Sequence, residues 1–169
     1  MTADRERNIV LTGFMATGKT TVGQQVARLT GRPFIDSDDE IIRRAGMSIP
    51  QIFERDGEAG FRALERQICF DLASSRRLVI ATGGGMLVDA ENRKRMMATS
   101  FVICLDAPSD VIGARLVATK DRPLAGDWAA LLDKRRSAYE AIPTHINTSN
   151  KTPDEIAREI VALWQTEYQ

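Results

Sequence analysis

The chain has 169 residues, enough for one domain with a real core and too few for two. Its 23 basic and 23 acidic side chains cancel, so nothing favours nucleic acid or an anionic membrane surface, and any anionic ligand must be held by local charge. Residues 1–7 are polar with no secretory apolar region, no stretch is long enough to span a bilayer, and Cys69 and Cys104 sit in apolar surroundings without metal-ligand spacing; a cytoplasmic protein with reduced, buried thiols is expected.

Short apolar runs alternate with longer helical patterns, which predicts an α/β fold with a parallel sheet covered by helices on both faces. A strand over residues 9–12 leads into Gly13-Phe14-Met15-Ala16-Thr17-Gly18-Lys19-Thr20, which fits the pattern G-x-x-x-x-G-K-[ST] in its strand–loop–helix setting. Such a loop curls so that several N–H groups meet one anion, with a helix N-terminus adding partial positive charge. Lys19 is expected to bridge the β- and γ-phosphates of a nucleotide, and the Thr20 hydroxyl to ligate its Mg²⁺. The following helix, from Lys19 to near Thr30, carries Val22, Val26 and Leu29 on one side and stops at Gly31.

A second strand, residues 33–36, ends in Asp36-Ser37-Asp38-Asp39. This acidic cluster has two readings: Ser37 or an aspartate caps a helix over residues 39–44, or one carboxylate supports a metal through water while the other accepts a proton from a hydroxyl. Another helix begins near Glu58, with Phe61, Leu64, Ile68 and Leu72 on its apolar face. A third strand, 78–82, meets Gly83-Gly84-Gly85, where backbone N–H groups stand clear of side chains and suit close approach by a small ligand. A fourth, 101–105, precedes Asp106-Ala107-Pro108. Residues 119–127 are the least regular and suit a mobile loop. A weak strand over 145–147 contains the sole histidine, His145, read as structural, and Met15, Met86, Met96 and Met97 are read as filling gaps in packing. Thr152-Pro153 opens the last helix, with Ile156, Ile160, Leu163 and Trp164. Ligands of an open parallel sheet bind beyond the carboxyl ends of its strands, which is where these polar segments lie.

Several of these segments occur together in one family. Gly13-Phe14-Met15-x-x-Gly18-Lys19-Thr20-Thr21-Val22-Gly23, Asp36-x-Asp38, Ile52-Phe53-x-x-x-Gly57-Glu58-x-x-Phe61-Arg62-x-x-Glu65, the triple glycine, Arg122-Pro123-Leu124 and Arg135-x-x-x-Tyr139 resemble the shikimate kinase family, in its order and near its spacing over almost the whole chain. The resemblance implies one kinase domain over residues 1–169: a five-stranded parallel P-loop sheet like that of nucleoside monophosphate kinases, with phosphate loop 13–20, a substrate-binding region about 37–65 and a lid about 115–128. The implied activity is ATP-dependent, Mg²⁺-assisted phosphorylation of the 3-hydroxyl of shikimate, in aromatic amino-acid biosynthesis, by a monomer.

Residue by residue, the resemblance assigns ATP to Ala16, Thr17, Gly18, Lys19, Thr20, Thr21, Arg115 and Arg122, and the metal to Thr20 with Asp36 through water. It assigns shikimate to Asp38, Arg62, Gly83, Gly84, Gly85 and Arg135, with Asp38 as base and Lys19 and Arg122 stabilising the transferred phosphoryl group. The chemistry is apt, because a carboxylate bearing hydroxyls calls for guanidinium groups and hydrogen-bond acceptors together. Arg62 also has Glu58 and Glu65 at ion-pairing distance along a helix, and Arg135 shares a basic run with Lys134 and Arg136, where spacing to Tyr139 selects it. Three features depart from the family: the segment between Leu124 and Arg135 is short, Asn147 stands where aspartate is usual, and Ala16-Thr17 replaces a small glycine. Asn147 keeps an acceptor, so its turn is expected to survive. Trp128 either packs the base of the lid or covers a ligand. A kinase for another small metabolite would keep the phosphate loop with no particular reason for Asp36-x-Asp38, Arg62 and the glycines. A catalytically silent nucleotide-binding module would be expected to lose Lys19, Asp38 or Arg122.

Overall fold

The computed structural model describes residues 4–118 and 127–168, so the predicted contribution of Arg122 lies outside the described residues. Its strands are β1 (Asn8–Gly13), β2 (Phe34–Asp36), β3 (Val79–Ala81), β4 (Ser100–Asp106) and β5 (Thr144–Asn147). They form one sheet in the order β2-β3-β1-β4-β5, with every pair parallel. Seven helices are described: α1 (Lys19–Thr30), α2 (Ser37–Ala45), α3 (Ile49–Ser74), α4 (Ala90–Thr99), α5 (Ser109–Ala118), α6 (Trp128–Glu140) and α7 (Pro153–Glu167).

Central β1 is buried along its length, as a parallel strand covered on both faces must be. Its side chains alternate between two cores. Ile9 and Leu11 join Val22 and Val26 of α1 and Ile156 and Ile160 of α7, while Val10 joins Phe61 and Ile68 of α3, Met96 of α4 and Ile112 of α5. Fully burying one such aliphatic side chain is worth about 1.5–3 kcal/mol. Leu29 and Leu163, expected on the apolar faces, lie at their margins and remain partly exposed. Met86 and Met96 are fully buried, and both thiols are buried and free.

The helix expected from Glu58 is the second piece of α3. Gly57 takes non-helical angles (φ 69°, ψ −176°) and breaks α3, and an earlier piece starts at Ser48, whose Oγ caps Gln51 N while the Gln51 side chain returns to Ser48 N. Helix α2 begins at Ser37, two residues before the expected start, because Asp36 is its cap. Trp128 packs at the base of α6: its ring lies where a Cβ on Gly113 of α5 would come within 2.9 Å of it. Asn147 Oδ1 accepts from Ser149 N at 2.8 Å, so the expected turn is present.

Candidate functional site

The phosphate loop follows directly from the sheet. Gly13, the last residue of β1, has φ 138° and lies so close to β4 that a Cβ would fall on the Leu105 carbonyl, so only glycine fits. Gly18 precedes α1 without any side-chain cap, which leaves the first-turn N–H groups directed at the loop. Lys19 Nζ reaches back to the carbonyls of Gly13 (2.7 Å) and Phe14 (2.8 Å), and Thr17 Oγ1 donates to the same Phe14 carbonyl at 2.7 Å. Ala16 adopts φ 60°.

The capping reading of the acidic cluster holds, with Asp36 as the cap, and its two oxygens take different partners. Asp36 Oδ1 accepts from Asp38 N (2.9 Å) and Asp39 N (3.3 Å), capping α2, while Oδ2 accepts from Thr20 Oγ1 at 2.9 Å. Thr20 and Asp36 thus set two hard oxygen donors at the edge of the phosphate cavity, a donor set that suits Mg²⁺. Capping leaves Asp38 to turn inward. Burial, followed by the nearby Asp36 charge, raises its carboxyl pKa, with Lys19 and then Arg62 pulling the other way.

The glycine triplet is where the predicted acid-binding side chains meet. A Cβ on Gly83 would fall on Asp38 Oδ1; one on Gly84 would come within 3.0 Å of an Arg135 guanidinium nitrogen, and one on Gly85 within 2.5 Å of an Arg62 guanidinium nitrogen. Each glycine therefore makes room for a different functional group. Arg62 is ion-paired as its helix spacing suggested, to Glu65 at 2.7 Å and Glu58 at 3.8 Å, and it also lines the cavity. Glu65 is 2% exposed, and burial raises its pKa against the hydrogen bond from Arg62. Arg135 faces the glycines, whereas Arg136 pairs with Asp133 at 3.1 Å and lines a separate cavity behind the phosphate loop.

Three cavities run together along the carboxyl ends of the strands. The first, about 340 Å³, lies among Ala16, Thr17, Gly18, Thr21, Arg115, Thr148, Lys151 and Pro153. Arg115 ties it to the phosphate loop, donating to Ala16 O at 2.9 Å and Thr148 Oγ1 at 3.2 Å. The second, about 400 Å³, holds Lys19, Thr20 and Asp36. The third, about 270 Å³, is lined by Asp38, Phe61, Arg62, Glu65, the three glycines and Arg135. Met15, Asp38, Gly83 and Gly84 form a wall common to the second and third.

The family model described as shikimate kinase matches residues 15–165. The chain belongs to the shikimate kinase family. Shikimate kinase of Thermodesulfovibrio yellowstonii is 41% identical over 165 residues, covering 94% of this chain and 95% of that one, and the enzyme of Geobacter sulfurreducens is 41% identical, covering 93% and 90%. The solved shikimate kinase from Acinetobacter baumannii in complex with shikimate superposes with a TM-score of 0.89 at 36% identity, covering 98% of this chain and 97% of that one. A gluconokinase from Sinorhizobium meliloti, 18% identical with a TM-score of 0.62, shares the fold alone.

Within this shikimate kinase fold the described predicted residues converge on one cleft. Three contributions escaped the sequence. Ser37 Oγ accepts from Gly83 N at 2.7 Å, Tyr139 Oη donates to Gly84 O at 2.7 Å, and Thr148 joins Arg115. Only a polar residue at the start of a helix or at i+4 from Arg135 hinted at the first two. His145 lies apart, its Nδ1 2.6 Å from Asp106 Oδ2, while Cys104 Sγ donates to Asp106 Oδ1 at 3.5 Å. These three side chains stand within 4.8 Å of one another and satisfy each other, an arrangement that needs no ion. Among the described residues, no helix is long and apolar enough to cross a membrane.

Proposed function

We propose that the protein transfers the γ-phosphoryl group of ATP to the 3-hydroxyl of shikimate, in aromatic amino-acid biosynthesis, as a cytoplasmic monomer built from one kinase domain with a lid about 115–128. The observation that carries this reading is the shared wall: Asp38, Met15, Gly83 and Gly84 border both the phosphate cavity and the acid-binding cavity, so donor and acceptor meet there.

The adenine side of ATP occupies the cavity of Arg115, Thr148 and Pro153, and its phosphates lie along residues 16–21 against the α1 N-terminus. Thr20, and Asp36 through water, would hold Mg²⁺, which would neutralise charge on the phosphate oxygens. The shikimate carboxylate is gripped by Arg62 and Arg135, and Asp38 accepts a hydrogen bond from the reacting hydroxyl. The hydroxyl oxygen forms its bond to the γ-phosphorus as the bond to the ADP oxygen breaks, and the hydroxyl proton passes late to Asp38. A carboxylate made more basic by burial suits that acceptor role. Lys19, carried to the loop's carbonyls here, reaches the β- and γ-phosphates instead when they are present, and Arg122 adds charge from the lid. Positioning and neutralisation carry more of the barrier reduction than the base does.

The test is incubation with ATP, Mg²⁺ and shikimate, followed by mass detection of product. A mass gain of one phosphoryl group on shikimate is expected; ATP binding without phosphorylation of any polyol acid in a panel would favour the silent nucleotide-binding module.

A further inference from the structure

The glycine triplet uses its backbone groups unevenly. Gly83 N–H donates to Ser37 Oγ at 2.7 Å, and all three carbonyls are engaged: Gly83 O by Met86 N (3.1 Å), Gly85 O by Val88 N (3.2 Å) and Gly84 O by the Tyr139 hydroxyl (2.7 Å). Among the described residues, the N–H groups of Gly84 and Gly85 have no partner. The loop has therefore tied its acceptors back and kept two donors, the polarity wanted by an anionic, oxygen-rich ligand.

The link at Gly84 differs in kind from the other two carbonyl contacts. Those close a short turn within the loop itself, whereas Tyr139 reaches the loop from α6, across 55 positions of sequence. The Gly84–Gly85 peptide has no side chain at either end, so no Cβ hinders its rotation. In a trans peptide C=O and N–H point in opposite directions. With Gly84 O fixed on Tyr139, Gly85 N–H points away from α6; after a flip the carbonyl oxygen would take its place and repel a carboxylate or compete for its donors.

Tyr139 is also joined to the acid-binding group one helical turn before it. An Arg135 guanidinium nitrogen and the Tyr139 hydroxyl both face Gly84, within 3.0 and 3.9 Å of where its Cβ would stand, and burial pushes the phenol up to about 12, so the hydroxyl keeps its proton and can donate to Gly84 throughout the working range. The ring is 5% exposed and packed in the core, which fixes the hydroxyl in space.

We propose that Tyr139 is a positioning residue for the acid substrate: its hydroxyl locks the Gly84–Gly85 peptide so that Gly85 N–H stays available, and holds the Arg135 guanidinium beside it. This rests on the proposed assignment of the third cavity to shikimate. The role is indirect, through Gly84 and Arg135, and it makes the hydroxyl a determinant of acid affinity with no part in nucleotide binding.

The test is Tyr139→Phe, which keeps the buried ring and removes only the oxygen, measured beside the wild type, whose own turnover of shikimate checks the activity independently. The expected result is a rise of about tenfold in KM for shikimate, the scale of one lost hydrogen bond to a charged or buried partner, with KM for ATP within about twofold. In a double-mutant cycle with Arg135→Gln, the two losses should be less than additive, since the hydroxyl acts partly through that arginine. A shikimate KM within about twofold of wild type overturns the proposal, as does a parallel rise in both Michaelis constants or strict additivity with Arg135→Gln. A lowered melting temperature with unchanged Michaelis constants would reduce Tyr139 to a packing residue.

Discussion

Replacing Asp38 by asparagine separates catalysis from stability, and the two should move in opposite directions. The substitution keeps side-chain volume and the close approach to Gly83 while abolishing the charge and the proton-accepting capacity. A positioned general base contributes about 10²–10⁴ in rate. Because Lys19 and the proposed Mg²⁺ ligands Thr20 and Asp36 remain, and proton transfer comes late in the proposed mechanism, the expected loss in kcat is about 10²–10³, with ATP binding retained. Stability has the other sign. Burial and the Asp36 charge raise the Asp38 pKa above its ordinary value of 3.8. As pH climbs through the window between those values, the folded state holds a proton that the unfolded chain releases, so folding stability falls and stays reduced above it. Asparagine removes that penalty, and the melting temperature at neutral pH should rise. Steady-state turnover with coupled ADP detection, its pH profile and thermal unfolding together decide. For the wild type, activity should fall on acidification through a pKa above the ordinary carboxylate value. Near-normal turnover of Asp38→Asn would refute its role as base, and a lower melting temperature would refute the assignment of buried charge strain.

Four further outcomes follow from the same geometry. Arg62→Ala should raise KM for shikimate by about tenfold or more, because a charged hydrogen bond is worth about 1.5–3 kcal/mol; unchanged affinity in a substrate titration would leave Arg62 with Glu58 and Glu65 alone. Arg115→Ala should raise KM for ATP and spare shikimate, since its described contacts are with Ala16 and Thr148; equal effects on both substrates would count against the adenine-side assignment. Gly13→Ala should destabilise the fold by at least about 2 kcal/mol in denaturant unfolding, because a Cβ meets the Leu105 backbone and the positive φ is strained. Ala16→Gly should leave stability within about 0.5 kcal/mol, as relief of roughly 1 kcal/mol of left-handed strain is offset by a freer unfolded chain; a large change would show that this loop position bears other load.

The sequence by itself determined the fold class, the strand positions to within a residue or two, the phosphate loop and most of the charged side chains that line the cleft. These were legible because they are written in local patterns: apolar runs of strand length, a glycine spacing that only a tight anion-binding turn requires, and charged residues just beyond strand ends. Gly57 in α3 and the capping box at Ser48 were equally local and could have been read from S-x-x-Q followed later by glycine. What only the tertiary structure decided is who meets whom. That each of Gly83, Gly84 and Gly85 admits a different side chain depends on α2, α3 and α6 converging from separate parts of the chain. The two roles of Asp36 depend on β2 lying close enough to α1 for Thr20 to reach its second oxygen. The choice of Arg135 over Arg136 depends on which side of α6 rests against the glycine loop. Sequence spacing fixes direction within one element, but distances between elements arise from packing the two cores on the sheet, and no local pattern contains them.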